Sequence, residues 1–373
     1  MIEHPSFELS EGIEALTAHR EAWDRLAAQR PSPFLTHAWL YQWVQANART
    51  NLVCATVRGP GGGLLAGGVF YRTRKGLAAA ADVLSGDWDV VAVDEDARRT
   101  LWTGIAARAP RRLDLRQVRA TAPETTVARE ALAAAGYGVL RSFRQVPSPY
   151  VSLPSSFDEL LTSRSRNARQ QVRRELRRLH GAGGRFRTCT GGARLERDLD
   201  SFLRVEASGW KGREGTAIVS RPETSQLYRG FAREAAERNW LRLHLVELEG
   251  DVIAGALVVA VGGEGFFLKI GVDESHADLA PGVALTAEML RAAIDEGLGG
   301  MHLLGPMDRY KMRWTSELQP REQLQFRRGR PGRAMAVVWN RAGRPSLIAL
   351  RHLVREYPRL HKILQRARRI TGR

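Results

Sequence analysis

Apolar side chains recur at helical spacing over residues 37–48, where Trp39, Leu40, Trp43 and Val44 share one face. The same period predicts a helix over 11–29. Two strand-like runs follow, 52–58 and 64–72, separated by Gly59-Pro60-Gly61-Gly62-Gly63, and this turn chemistry predicts a hairpin. Beyond it the pattern predicts helices over 95–108 and 124–135 and extended segments over 111–118 and 137–146. Pro147, Pro149 and Pro154 then punctuate the chain, and a domain boundary fits there.

The second half repeats the plan. Helices are predicted over 162–180, ending at Gly181-Ala182-Gly183-Gly184, and over 200–210 and 222–238. Runs 241–248 and 252–261 form a hairpin across Glu249-Gly250-Asp251, and 265–272 supplies a third strand. A helix over 283–296, a short strand over 301–304, a short helix over 309–314 and extended residues 323–327 complete it. Leu64-Leu65-Ala66-Gly67-Gly68-Val69 aligns with Val252-Ile253-Ala254-Gly255-Ala256-Leu257, 188 positions on, and implies a duplicated unit. The expected domains are 1–150, 151–328 and a tail, 329–373.

At 373 residues, 43% hydrophobic and 26% charged, the chain fits two globular domains. Cys54 and Cys189 stand in unrelated contexts, and the nine histidines show no metal-ligand spacing. Neither a disulfide framework nor a metal site is expected. Residues 1–10 do not read as a signal peptide, and the longest apolar run, 252–261, is too short for a membrane helix. A soluble cytoplasmic protein is the expectation. The net charge of +17 is concentrated at the end: residues 321–373 hold fifteen Lys and Arg against Glu322 and Glu356. Such a tail binds polyanions at low salt.

Four segments carry a resemblance. They are Pro33-Phe34-Leu35-Thr36-His37-Ala38-Trp39-Leu40; residues 206–216, beginning Glu206-Ala207-Ser208-Gly209-Trp210-Lys211; Lys269 to Asp273 with Ala280-Pro281-Gly282; and residues 305–314, beginning Gly305-Pro306-Met307-Asp308. In this order they resemble the CelD/BcsL-like acetyltransferases of the GNAT superfamily, relatives of the FemAB-type transferases. The resemblance implies an α/β (α+β) fold of two tandem GNAT-like domains, each a mixed sheet flanked by helices, followed by the basic helical tail. It implies transfer of an acyl group from acetyl-CoA or another acyl-CoA to an amine or hydroxyl of a small molecule or carrier. The FemAB kinship implies an alternative donor, aminoacyl-tRNA. A non-catalytic protein binding anions or membranes on the same fold is the reading from a different class. The superfamily's usual Arg/Gln-x-x-Gly-x-Gly/Ala signature is absent in that form.

Candidate residues follow. Ala280, Pro281, Gly282 and Val283 lead from a strand into a helix whose first amides can hold a diphosphate, the place where GNAT-like proteins bind coenzyme A; a plain turn is the alternative. Glu206 and Trp210, four apart, would share a helical face, with Glu206 as general base and Trp210 as pocket wall, or as a surface carboxylate beside a core indole. Lys211 and Arg213 sit in a charged loop suited to an anionic ligand or simply to solvent. Lys269 is a charge inside an apolar strand, where burial demands a partner, and Asp273 is the candidate partner; the two join Glu206 in the expected catalytic set. Asp308 and Lys311 would bind substrate or clamp a short helix. His276 and His244 stand near this region, with His276 as a conceivable proton shuttle.

Arg166, Arg169, Arg173 and Arg177 form a cationic stripe beside Ala168, Val172, Leu176 and Leu179. The tail carries a second stripe from Arg351 to Arg369, interrupted by Pro358. Either suits tRNA phosphates or an anionic inner membrane surface, and the apolar side of the 345–373 segment suits docking on the protein itself. Acceptor identity and oligomeric state are not encoded in any local pattern.

Overall fold

The computed structural model describes residues 5–47, 51–108, 111–119 and 122–329. The expected tail, 345–373, lies outside the described residues, as does all of 329–373 except Gly329. Two mixed sheets carry the fold.

The first sheet is built from β1 (Ser6–Glu11), β2 (Leu52–Arg58), β3 (Leu64–Thr73), β4 (Gly76–Ala79), β5 (Val91–Ala92), β6 (Arg112–Arg119) and β7 (Tyr137–Arg144). The second holds β8 (Ser148–Ser152), β9 (Arg185–Cys189), β10 (Leu241–Leu248), β11 (Asp251–Val261), β12 (Glu264–Val272), β13 (Gly300–His302) and β14 (Glu317–Gln319). The last strand, β15 (Arg321–Arg328), returns to the first sheet and lies between β6 and β7. The first unit therefore borrows its last strand from the far part of the chain, β15 falling within the stretch 151–328.

Five layers result. Helices α4 (Glu95–Arg108) and α5 (Pro123–Ala134) cover the outer face of the first sheet, around Phe70, Trp88 and Trp102. The outer face of the second sheet is covered by α6 (Phe157–Thr162), α7 (Arg166–Gly181) and α11 (Pro281–Asp295). Between the sheets run α1 (Glu14–Ala18), α2 (Arg20–Ala27), α3 (His37–Asn47), α8 (Leu195–Ser208), the short α9 (Trp210–Arg213) and α10 (Pro222–Glu237). One core joins them: Trp23, Trp39 and Trp43 from the first unit meet Phe202, Phe231 and Phe266 from the second. Trp39 packs edge-on to Phe231 at 5.0 Å and to Tyr228 at 6.1 Å. α3 is buried on most of its circumference, which is why its apolar stripe is broad.

Several elements differ from the sequence expectations, each for a local reason. The helix expected over 11–29 is two short helices that begin after β1 has ended at Glu11, and His19, at φ −112° and ψ 20°, leaves helical geometry between them. The proline-punctuated boundary holds β8, which pairs with β13 and β14. The helix expected over 200–210 starts earlier, at Leu195, and stops at Ser208, where Gly209 turns extended. Strands β4 and β9 were not legible, being short.

Candidate active site

β12 is the spine of the site. It pairs antiparallel with β11 along nearly its whole length, with an extra residue bulged at Leu268. With β13 it pairs in parallel only from Glu264 to Phe266, and the ladder ends at Phe266↔His302. From there β13 leaves through Leu304 and Gly305, both at positive φ (49° and 61°), while β12 runs on to Val272. Two parallel strands that part in this way leave backbone amides and carbonyls of β12 facing a cleft rather than a neighbour.

Lys269 stands on this diverging stretch. Its ammonium lies 5.2 Å from the ring centroid of Tyr228, on α10, and has no ion-pair or hydrogen-bond partner among the described residues. Burial lowers its pKa, the Lys211 charge lowers it further, and Glu206 opposes both. Asp273 is not the partner expected for it. The Asp273 carboxylate caps the turn that follows, accepting from the Ser275 amide (2.9 Å) and hydroxyl (2.7 Å), and lies 3.5 Å from His276. Those bonds hold its carboxyl below the usual range, the Ser275 amide first. A side chain four residues along a strand end is turned by local capping chemistry before it can reach back.

Glu206 is buried, with a side chain fully closed to solvent, 3.2 Å from the Lys211 ammonium. Its other oxygen accepts from the Ile218 amide at 2.8 Å. α8 approaches β12 so closely that a Cβ on Gly271 would stand 2.5 Å from the Glu206 backbone nitrogen, so only glycine fits there. Lys211 also donates to the Ile270 carbonyl. The shared helical face expected for Glu206 and Trp210 is not formed: α8 ends between them, and Trp210 is 51% exposed while Glu206 is 2% exposed. Arg213 pairs with Glu274 at 2.8 Å, in a short helix instead of the expected loop. Lys311 forms the expected clamp with Asp308 (3.4 Å) and also donates to the Leu304 carbonyl at 2.7 Å. Burial lowers its pKa, against the pull of Asp308.

The donor side lies on the opposite face. Ala280, in left-handed geometry (φ 48°, ψ 47°), starts α11 with no side-chain cap, and the Gly282 amide has no hydrogen-bond partner among the described residues. A Cβ on Gly282 would meet only Val272, at 3.0 Å. Arg178 of α7 donates to the Asp278 carbonyl just before this junction. An uncapped helix start with a bare amide, beside an arginine-rich helix, fits a diphosphate group. Val283 is less open, since its amide already closes a turn on Ala280 (3.0 Å).

Sequence reasoning missed three contributors. Tyr228 sits in what reads as an ordinary amphipathic helix. Asp82, in a loop of the first unit, acts electrostatically on Tyr228: burial first, then Asp82 and Glu206, push the phenol well above its ordinary pKa. His302 stacks on Phe266 (4.3 Å between centroids, 4° between planes) and lies 3.5 Å from Glu264, which also accepts from the Tyr150 hydroxyl. Only the pairing of strand ends could have brought these together. His244 instead is buried at 8% exposure against Thr188 (2.9 Å). Among the described residues no cluster could hold a metal ion.

Residues 166–312 match the family model of the acetyltransferase (GNAT) domain, and this span contains the diverging strands, Lys269 and the α11 junction. Residues 166–312 thus form a GNAT-type domain. That domain lies in a fold of two mixed sheets flanked by helices. FemX aligns at 14% identity over 85% of this chain and 96% of its own, with a TM-score of 0.59. A conserved protein of unknown function from Bacteroides thetaiotaomicron aligns at 13% identity over 87% and 100%, with a TM-score of 0.57. The C-terminal DUF2156 domain of a putative lysylphosphatidylglycerol synthetase from Agrobacterium fabrum aligns at 14% identity over 86% and 96%, with a TM-score of 0.54. At such identities the likeness is one of fold. Among curated proteins none matches the sequence. No helix among the described residues is long and apolar enough to cross a membrane.

Proposed function

We propose that this GNAT protein transfers an acyl group from an acyl-CoA thioester to an acceptor held between its two units. The observation that carries the reading is the parting of β12 from β13 beside a half-buried lysine, Lys269, that has no ion-pair partner among the described residues. Ala280, Pro281, Gly282 and Val283 hold the donor's diphosphate, chiefly through the Gly282 amide, and the unpaired edge of β12 orients the acyl carbonyl. When bound, the donor supplies an acyl carbon activated by its sulfur leaving group.

Lys269 is the proton carrier. Its lowered pKa raises the share of neutral amine, the form that takes a proton from the attacking nucleophile of the acceptor. The acceptor–carbon bond forms, the carbon–sulfur bond breaks, and Lys269 returns the proton to the departing sulfur. Glu206 works at one remove, fixing Lys211 and the backbone at Ile218; Asp273 shapes the turn into the donor junction. Lys211, Arg213, Asp308 and the exposed Trp210 are assigned to the approach, with the buried Lys311 holding Asp308 and the Leu304 carbonyl.

An aminoacyl-tRNA donor is the second reading, favoured by α7. Val172, Leu176 and Leu179 bury its apolar side, while its one acid, Glu175, is buried and paired with Arg174. The outward arginines, Arg166 and Arg177 among them, face solvent beside the donor junction. The test is thermal denaturation of the full chain with acetyl-CoA, followed by thiol release. A raised Tm and acceptor-dependent thiol support the first reading. A charged-tRNA gel shift that weakens with salt, without any acetyl-CoA response, supports the second.

A further inference from the structure

A cavity of about 580 Å³ opens on the second unit between α8, β9 and the β10–β11 turn, and acyl transfer as described uses none of its lining. Its volume is that of a small-molecule site, yet nearly every side chain around it is charged. The floor is rigid. Arg187 of β9 donates to both oxygens of the buried Asp198 (2.6 and 2.9 Å) and to Glu247 (2.7 Å), so its guanidinium is fully matched. Glu249 and Gly250 turn the hairpin at positive φ (53° and 92°), which sets Asp251 and Val252 along the far wall.

The near wall is a stripe on α8. Arg194, Arg197, Ser201 and Arg204 recur at the period of one helical face. The three arginines are exposed, and none has a carboxylate within ion-pair distance among the described residues. Acids are not lacking on this helix; other elements claim them. Glu196 pairs with Arg233 at 2.6 Å, Asp200 with Arg229 at 2.6 Å, Asp198 with Arg187 and Glu206 with Lys211.

Like charges one turn apart repel, and the start of α8, which has no side-chain cap, adds its positive end beside Arg194. On the opposite wall Asp251 is the single lining acid with no cation at ion-pair distance among the described residues, so the balance stays positive. Such a wall draws in anions. Enclosure between a helix and a hairpin suits a discrete ligand, whereas a nucleic-acid backbone needs an open track.

We propose that this cavity binds a compact polyanion, a small ligand with at least two phosphate or carboxylate groups, at a site separate from the acyl-transfer cleft. Arg194, Arg197 and Arg204 take its anionic oxygens, and the Arg187–Asp198 pair holds the floor. The Ser201 hydroxyl accepts from Arg204 at 3.2 Å, which leaves its own proton to donate to the ligand.

The probes are inorganic pyrophosphate and citrate, titrated into the full chain by calorimetry at physiological salt, with amide hydrogen exchange to locate them. Bound probe slows exchange in the hairpin at 248–252. The double variant Arg197→Gln/Arg204→Gln raises the Kd about tenfold or more, the worth of a lost charge-assisted hydrogen bond, and abolishes the slowing. Its Tm stays the same or rises, because unmatched like charges are gone; a structural role for the arginines would lower it. Tighter pyrophosphate assigns the ligand to phosphate esters, and tighter citrate to polycarboxylates. Absence of binding by both probes, or a Kd unchanged in the double variant, overturns the site. Whatever acetyl-CoA does to the Tm, it does equally in both proteins; a shift lost with the two arginines would make the cavity part of the donor site and also overturn the proposal.

Discussion

The Lys269 ammonium rests 5.2 Å from the ring centroid of Tyr228 and has no carboxylate within ion-pair distance among the described residues. A cation held against an aromatic face and mostly shut from water loses hydration that the ring only partly replaces. The shift is toward the neutral amine, the form that can act as a base.

Replacing Lys269 with methionine separates chemistry from folding. Turnover, read as thiol release, falls roughly 10²–10⁴-fold, the usual contribution of a positioned proton acceptor. The Tm at neutral pH stays the same or rises, because a costly buried charge is gone. A variant that keeps full turnover would remove Lys269 from the mechanism.

Glu206→Gln behaves in the opposite manner. The amide can still accept from Ile218, but Lys211 loses its only carboxylate at 3.2 Å. Breaking one side of a buried pair costs roughly 3–5 kcal/mol, visible as a lower midpoint in urea. Turnover measured well below the unfolding temperature drops less than in the Lys269 variant.

Between the units, Asp87 is buried and surrounded by Arg30 (3.3 Å) and Arg119 (2.9 Å), with Arg321 close by. Burial alone would raise its pKa, but Arg119, Arg30 and Arg321 hold it far below the ordinary carboxylate value. Asp87→Asn takes the shared counter-charge from Arg119 and the buried Arg321 and leaves Arg30 with Asp89 alone, and the expected loss is roughly 3–5 kcal/mol by chemical denaturation.

His244 gives a pH dependence with a definite sign. Burial, with help from Arg242, pushes its pKa down to about 4 from an unfolded value of 6.5. Between these values the unfolded chain holds the extra proton, so stability is full above about pH 6.5 and declines as pH falls toward about 4. The linkage amounts to about 3 kcal/mol. His244→Asn should flatten this part of the stability curve; an unaltered slope would assign it to other groups.

Lys269 was legible because a charge in an apolar run announces itself, whereas its partner was not. Asp273 was the nearest acid in sequence, yet the serine two residues on claims it. Tyr228 is brought to Lys269 by the packing of α10 on α3 and against β12, an arrangement that no local period encodes. The repeated hairpin was visible as a repeated hydrophobic phrase, and both hairpins are present. β15 was read as extended, but its place between β6 and β7 depends on hydrogen bonds to strands some two hundred positions earlier.

That return also fixes how the two units can move. The chain crosses from the first sheet to the second between β7 and β8, and crosses back between β14 and β15. The crossings lie side by side, joined where the Gln145 amide donates to the Arg321 carbonyl at 2.9 Å. With a single tether, torsion between the units would be resisted by the shared core alone. Two tethers stitched together behave as a flat strap, which bends in one plane and resists torsion, so any opening of the cleft over Lys269 should be a one-axis hinge.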